Sequence, residues 1–164
     1  MKYRTILAIT LLSLIGFSAS VWGYDVELAA SYARLFEPVS GAKAGKALHL
    51  IMPEQFVKDL QAGKTISTID VRTANESGVM SMTLPGSLSI PVDQLFLKEN
   101  LERIPTDRMV VIICKNGTRA TAVGTALRHV GFNNVYILKG GIMALSDFLN
   151  PKTANPPQDK TAMR

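Results

Sequence analysis

Five short apolar runs, separated by segments of helical periodicity, organise the middle of the chain. Residues 48–51, 66–71, 87–90, Met109–Ile113 and Val135–Leu138 are compact and rich in valine, leucine and isoleucine, which predicts strands. Between them the spacing changes. Residues 53–60 read as a helix, with Pro53 at a first-turn position and Gly63 just past its end. Thr73-Ala74-Asn75-Glu76 fits a capping box, in which Thr73 and Glu76 satisfy each other's backbone donors, and opens a second, short helix. Leu84-Pro85-Gly86 marks a turn, Pro91 stops the third run, and residues 92–96 and 101–104 read as short helical pieces. Residues 120–130 place Ala, Val and Leu on one face with Gly131 as C-terminal cap. Gly140-Gly141 is a tight turn before a last helix over 142–149. Strand alternating with helix argues for an α/β domain: a central, mostly parallel five-stranded sheet with helices on both faces.

The ends of the chain depart from this pattern. Lys2 and Arg4, the apolar stretch 5–17 and the small residues after it read as a signal peptide over 1–23, with cleavage after Ser20 or Gly23. That stretch is short for a membrane span, no second one follows, and no cysteine near the cut would carry a lipid. The expected location is therefore periplasmic or secreted, without stable membrane insertion after cleavage. Residues 24–46 form an extension, helical over Val26–Phe36 and flexible over 40–46. Residues 47–149 make the domain. Residues 150–164, polar and with three prolines, are an expected disordered tail.

Charge and metal chemistry narrow the field. Taking Lys2 and Arg4 from 18 basic against 13 acidic residues leaves 16 and a net charge of +3, scattered along the chain, so nucleic acid is not an expected partner. His49, placed in the first strand, and His129, near a helix end, lie far apart and read as structural; no metal or cofactor is expected.

Cys114 is the one cysteine. It ends the run Met109–Ile113 and begins Cys114-Lys115-Asn116-Gly117-Thr118-Arg119, which leads into the helix at Ala120. Free cysteine is usually inert packing material. This one sits where strand, loop and helix start bring successive N–H groups and the positive end of a helix dipole onto one point, an arrangement that stabilises a sulfur anion. Lys115 and Arg119 act in the same sense. A chain with one cysteine forms no internal disulfide, and the open edge of an α/β sheet is where ligands bind, so a reactive thiol is favoured.

Several motifs in order resemble the rhodanese-like domain, the single-domain sulfurtransferase family, over about residues 47–149. Asp70-Val71-Arg72 with Glu76, then Leu84-Pro85-Gly86-Ser87 and Ile90-Pro91, look like its first signature. The cysteine loop, Gly131-Phe132 and Val135-Tyr136-Ile137-Leu138-Lys139-Gly140-Gly141 look like its second. Two positions depart from the family pattern, Met82-Thr83-Leu84 where Gly-His-Ile is common and Leu145 where Trp is common.

The resemblance implies a persulfide on Cys114, loaded by a small anionic donor (thiosulfate or polysulfide) and unloaded to cyanide, a thiol or a protein acceptor. Lys115, Asn116, Gly117, Thr118 and Arg119 are then the substrate-binding residues: backbone amides and two cations for an anion, with Gly117 allowing close backbone approach. Thr118 either donates its hydroxyl or caps the helix starting at Ala120. Asp70, Arg72 and Glu76 read as structural, with an Arg–Glu pair tying the second strand to its loop. Lys139-Gly140-Gly141 reads as turn geometry bordering the cysteine loop. A phosphatase or arsenate reductase of the same fold needs Cys-x5-Arg, whereas here Arg119 arrives one residue early and position 120 is Ala. A persulfide carrier, with residues 24–46 as partner surface, is the alternative from a different class.

Overall fold

The computed structural model describes residues 23–150. Apart from Gly23 and Asn150, the expected signal peptide and tail lie outside the described residues. The chain runs through α1 (Val26–Phe36), a 3-10 turn (Gly41–Lys43), α2 (Ala44–Ala47), β1 (Leu50–Ile51), α3 (Pro53–Gln61), β2 (Ile66–Asp70), α4 (Ala74–Val79) and β3 (Leu88–Ser89). It continues through α5 (Val92–Leu95), α6 (Lys98–Leu101), β4 (Met109–Ile113), α7 (Thr118–His129), β5 (Val135–Leu138) and α8 (Gly141–Phe148). The five strands form one sheet, in the order β1-β5-β4-β2-β3. Every pairing in it is parallel, where the pattern predicted a mostly parallel sheet.

The central strands explain the continuous apolar runs. In β4, Val110 and Ile112 face a cluster completed by Ala120, Val123 and Leu127 of α7, with Leu95 of α5 and Ile104 after α6. Val111 and Ile113 face the other side, against Phe56 of α3 and Ile142 and Leu145 of α8. Both faces are covered, so no polar alternation marks these strands. Burying each such side chain contributes about 1.5–3 kcal/mol. The two-residue period puts Cys114 on the same face as Val110 and Ile112, under the start of α7.

The leading helix docks on the far end of α7. Asp25 caps α1 through its carboxylate, which accepts from the Leu28 amide at 2.8 Å. Tyr32 stacks on His129, with centroids 4.0 Å apart and planes 6° apart. The Ser31 hydroxyl gives its proton to the Leu28 carbonyl at 2.7 Å, so His129 Nε2, 3.1 Å from the same oxygen, is the donor of that contact. His129 is structural, as expected.

Several boundaries differ from those the pattern predicts. Residues 40–46 are not a plain linker, because they contain the 3-10 turn and enter α2. His49 is outside the strand: it adopts a left-handed φ of 56°, and β1 shrinks to two residues. Its ring is nonetheless structural, with Nδ1 3.0 Å from the Val135 carbonyl. The helical piece expected at 101–104 lies earlier, at Lys98–Leu101. Helix α7 begins at Thr118, two residues before the expected start, with Gly117 as N-cap.

Candidate active site

The carboxyl ends of β2, β4 and β5 lie side by side, so the segments leaving them meet. From β4 comes Cys114, fully buried. Its Sγ accepts from the backbone N–H of Gly117 at 3.1 Å and of Ala120 at 3.4 Å. Gly117 reaches that position with φ 93° and has little room for a Cβ, which would stand 3.1 Å from the Gly140 nitrogen. The amides of Lys115, Asn116 and Arg119 have no acceptor among the described residues. The loop therefore holds the sulfur with two N–H groups and keeps three more uncommitted, at the positive end of a twelve-residue helix.

What aims these amides comes from β5. After Gly140, helix α8 starts at Gly141 and donates the Ile142 amide to the Cys114 carbonyl at 2.8 Å and the Met143 amide to the Lys115 carbonyl at 3.1 Å. A trans peptide points its C=O and N–H in opposite directions, so turning these two carbonyls toward α8 turns the following N–H groups, on Lys115 and Asn116, away from it. Gly141, at φ 61°, is needed for this approach: a Cβ there would lie 2.7 Å from the Lys115 carbonyl and closer still to the Cys114 carbonyl oxygen. The glycine pair is turn geometry bordering the loop, as expected, and it also orients the loop.

From β2 come the charged residues, and their pairing corrects the expectation of an Arg72–Glu76 contact. Arg72 takes Asp70 instead, through Nε at 2.9 Å and Nη2 at 2.6 Å, and also donates to the Met80 carbonyl; both side chains are buried. Side chains two apart along an extended strand share a face, which makes Asp70 the nearer partner. Glu76 reaches across the site. It accepts from both terminal nitrogens of Arg119, at 2.8 and 2.7 Å, while keeping its capping-box contact with the Thr73 amide at 3.1 Å. The Arg119 guanidinium, followed by the Thr73 amide, holds the Glu76 carboxyl far below its ordinary range, at about 2. Glu76 and, more weakly, the neighbouring Cys114 sulfur hold the Arg119 proton more firmly than usual.

The six residues singled out from the sequence thus span the loop Cys114–Gly117 and the first two positions of α7, with different parts turned to the sulfur. Gly117 and Ala120 touch it through their amides, and Ala120 carries no side-chain signal that sequence could have shown. Asn116 spends its side-chain oxygen on the Thr118 amide at 3.2 Å. Thr118 is the first helical residue, not a cap for Ala120. Lys115 is exposed and has no ion-pair partner among the described residues. Two grooves of about 450 and 460 Å³ flank α8, one bordered by Gly140 and Met52, the other by Met80, Met82 and Ile142. No group of three or more His, Cys, Asp or Glu suited to a metal ion occurs among the described residues.

An all-parallel α/β sheet with a lone thiol seated in backbone amides at its carboxyl edge defines a structural class of α/β domains. Within that class the chain belongs to the rhodanese-like domain family, which matches residues 52–147. It is 30% identical over 91 residues to a sulfurtransferase of Allochromatium vinosum, covering 56% of this chain and 81% of that protein. It is 31% identical over 101 residues to the probable adenylyltransferase/sulfurtransferase MoeZ of Mycobacterium tuberculosis, covering 62% of this chain and only 25% of that relative. The fold is shared with a rhodanese-related protein of Thermoplasma volcanium, at TM-score 0.53 and 24% identity over 63% of this chain and 95% of the other.

Proposed function

We propose that the protein is a sulfurtransferase that moves sulfane sulfur through a persulfide on Cys114. The observation that carries this is the loop itself: two amides on Sγ and three uncommitted ones beside it suit a sulfur that stays anionic through the cycle. Family membership and the Allochromatium vinosum relative support the same chemistry.

With thiosulfate as donor, the Cys114 thiolate attacks the outer sulfur. The S–S bond of thiosulfate breaks, its electron pair leaves with sulfite, and a Cys114 persulfide anion remains. Cyanide or a thiolate acceptor then attacks the outer sulfur of the persulfide, giving thiocyanate or an acceptor persulfide and returning the Cys114 thiolate. The amides of Lys115, Asn116 and Arg119 are the groups available to the donor and to the added sulfur; Lys115 supplies an exposed cation at the rim. Arg119 contributes charge while Glu76 fixes its orientation. That pairing leaves Arg119 poorly placed to grip a phosphate ester, which argues for sulfur over phosphate chemistry.

Lys2, Arg4 and the apolar stretch 5–17 support export, so we propose that the domain works in the periplasm or outside the cell. Small anionic donors, thiosulfate or polysulfide, and a thiol or protein acceptor are its proposed partners. The test is thiocyanate release from thiosulfate and cyanide by the purified protein, with intact-mass detection of a persulfide after exposure to several sulfane donors. The expected result is turnover that Cys114→Ser abolishes while leaving the fold intact. The absence of both turnover and a persulfide with every donor would overturn the proposal, and a persulfide without turnover would favour the carrier.

A further inference from the structure

A second cluster of cations lies at the opposite end of α7 from Cys114. Lys43 of the 3-10 turn, Lys46 of α2, His49 before β1 and Arg128 in the last turn of α7 line a cavity of about 440 Å³, completed by Pro38 and Ala47. No acidic residue lines it. Lys58, Lys64, Arg72, Lys98, Arg108 and Arg119 each have a carboxylate partner; Lys43, Lys46 and Arg128 have none among the described residues. Arg128 Nε is moreover shut off from water with no acceptor. That nitrogen is closed to an entering anion as it is to water, which leaves the two terminal nitrogens of Arg128 to bind one. The negative end of α7's dipole explains one cation at this place, but not two lysines brought in from other elements.

His49 completes the arrangement. The Val135 carbonyl only accepts, so Nδ1 carries the proton there, and Nε2 is the ring's remaining polar atom. The ring stacks on Tyr136, with centroids 4.6 Å apart, and is thereby fixed. Burial, and to a lesser extent the Arg128 charge, lowers its pKa against the opposing pull of the Val135 carbonyl.

We propose that this cavity binds a tetrahedral oxyanion of the phosphate class, held by Arg128, Lys43 and Lys46 and bordered by His49. A guanidinium fork suits two oxygens of such an anion, and the lysines add point charge. The site is separate from the thiol, about 15 Å away along α7 at 1.5 Å per residue. The anion is either free or a lipid headgroup. Val26, Leu28 and Phe36 of the neighbouring α1 are exposed apolar residues, which keeps the headgroup source open to experiment.

The test is a titration of the full chain with inorganic phosphate, against chloride at equal ionic strength, following the His49 ring and Arg128 Nε–H signals by NMR. The expected result is a saturable phosphate-specific shift, weakened about tenfold or more by Arg128→Gln and by the double variant Lys43→Gln/Lys46→Gln. Both lysines are exposed, so the double variant keeps the test valid if Arg128→Gln does not fold. A parallel arm compares phosphatidylglycerol with phosphatidylcholine vesicles. A phosphatidylglycerol preference that the double variant loses assigns the headgroup, and phosphate saturation without that preference assigns the free anion. A chloride-like response to phosphate together with no lipid preference overturns the proposal.

Discussion

Two arginine–carboxylate pairs stand within one site and do different things. Arg72 and Asp70 are two residues apart, both at most 5% exposed along the side chain, and the pair extends to the Met80 carbonyl. Arg119 and Glu76 are 43 residues apart and about one-third exposed, and Arg119 neighbours the Cys114 sulfur. The first closes a buried corner of β2 and pins the segment leaving α4. The second joins α4 to α7 at the rim of the thiol. The same two functional groups thus tie the fold when sealed from water and, when left partly in water, hold a guanidinium beside the thiol.

The sharpest way to break the comparison is to remove charge from the buried pair. Asp70→Asn leaves the Arg72 guanidinium buried without a counter-charge, and the expected loss is about 3–5 kcal/mol of unfolding free energy. Urea titration checks it, along with a Tm lowered by roughly 10–20 °C. A variant as stable as the parent would mean that Arg72 finds water or another acceptor, and the distinction between the pairs would fail. Gly141→Ala touches neither pair, but its Cβ meets the Cys114 and Lys115 carbonyls. Thiocyanate production is expected to fall more than tenfold, with a Tm change smaller than that of Asp70→Asn, because the loop amides lose their aim while both pairs survive. Full activity in this variant would show that α8 does not set the loop.

Glu76→Gln is the converse of Asp70→Asn. The pair it breaks is partly solvated, so a Tm change of at most a few degrees is expected. Sulfur transfer is expected to fall several-fold, because Arg119 is freed to move relative to Cys114; Glu76→Asp, which keeps the charge on a shorter arm, recovers part of it. Steady-state kinetics beside a thermal melt separate the two effects. A large stability loss with unchanged kinetics would place this pair with the buried one.

How legible each pair was follows from how far its partner lay along the chain. β4 stood out because both its faces are covered and its five residues are all apolar, whereas β2 carries Ser67, Thr68 and Asp70 between and after its isoleucines. The edge strands β1 and β3, two residues each, gave runs that the pattern overextended into Leu48, His49, Ser87 and Ile90. Asp70 and Arg72 share a strand face, so their pairing was open to local reasoning, although Glu76, four residues beyond Arg72, competed for it. Arg119–Glu76 and the α8 amides on the cysteine loop are long-range contacts with no periodic signal. The capping box correctly marked Glu76 but accounted for only one of its roles. Cys114 was legible because strand, glycine-containing loop and helix start are consecutive in sequence, whereas the direction of the Lys115 and Asn116 amides depends on Gly141, Ile142 and Met143, about 27 residues later.

Acid offers the mildest separation of the pairs and needs no folding variant to begin. Glu76 has a carboxyl near 4.5 when unpaired and about 2 in the folded protein. Its pairing therefore contributes fully above about 4.5, and that contribution is lost as pH falls from there toward 2. In wild-type protein, unfolding midpoints measured at stepwise lower pH carry this loss, while Glu76→Gln, with no carboxyl at that position, does not. The gap between the two curves is expected to be constant from neutral pH to about 5 and to narrow below it. A fall between pH 7 and 5 shared by both curves, with the gap unchanged, belongs to His49, whose lowered pKa makes its neutral form the stabilising one and whose contribution is lost on acidification below 6.5. Repeating the comparison in Glu76→Gln/His49→Gln assigns each window to one group, and a gap independent of pH down to 2 would mean that Arg119 does not hold Glu76 ionised.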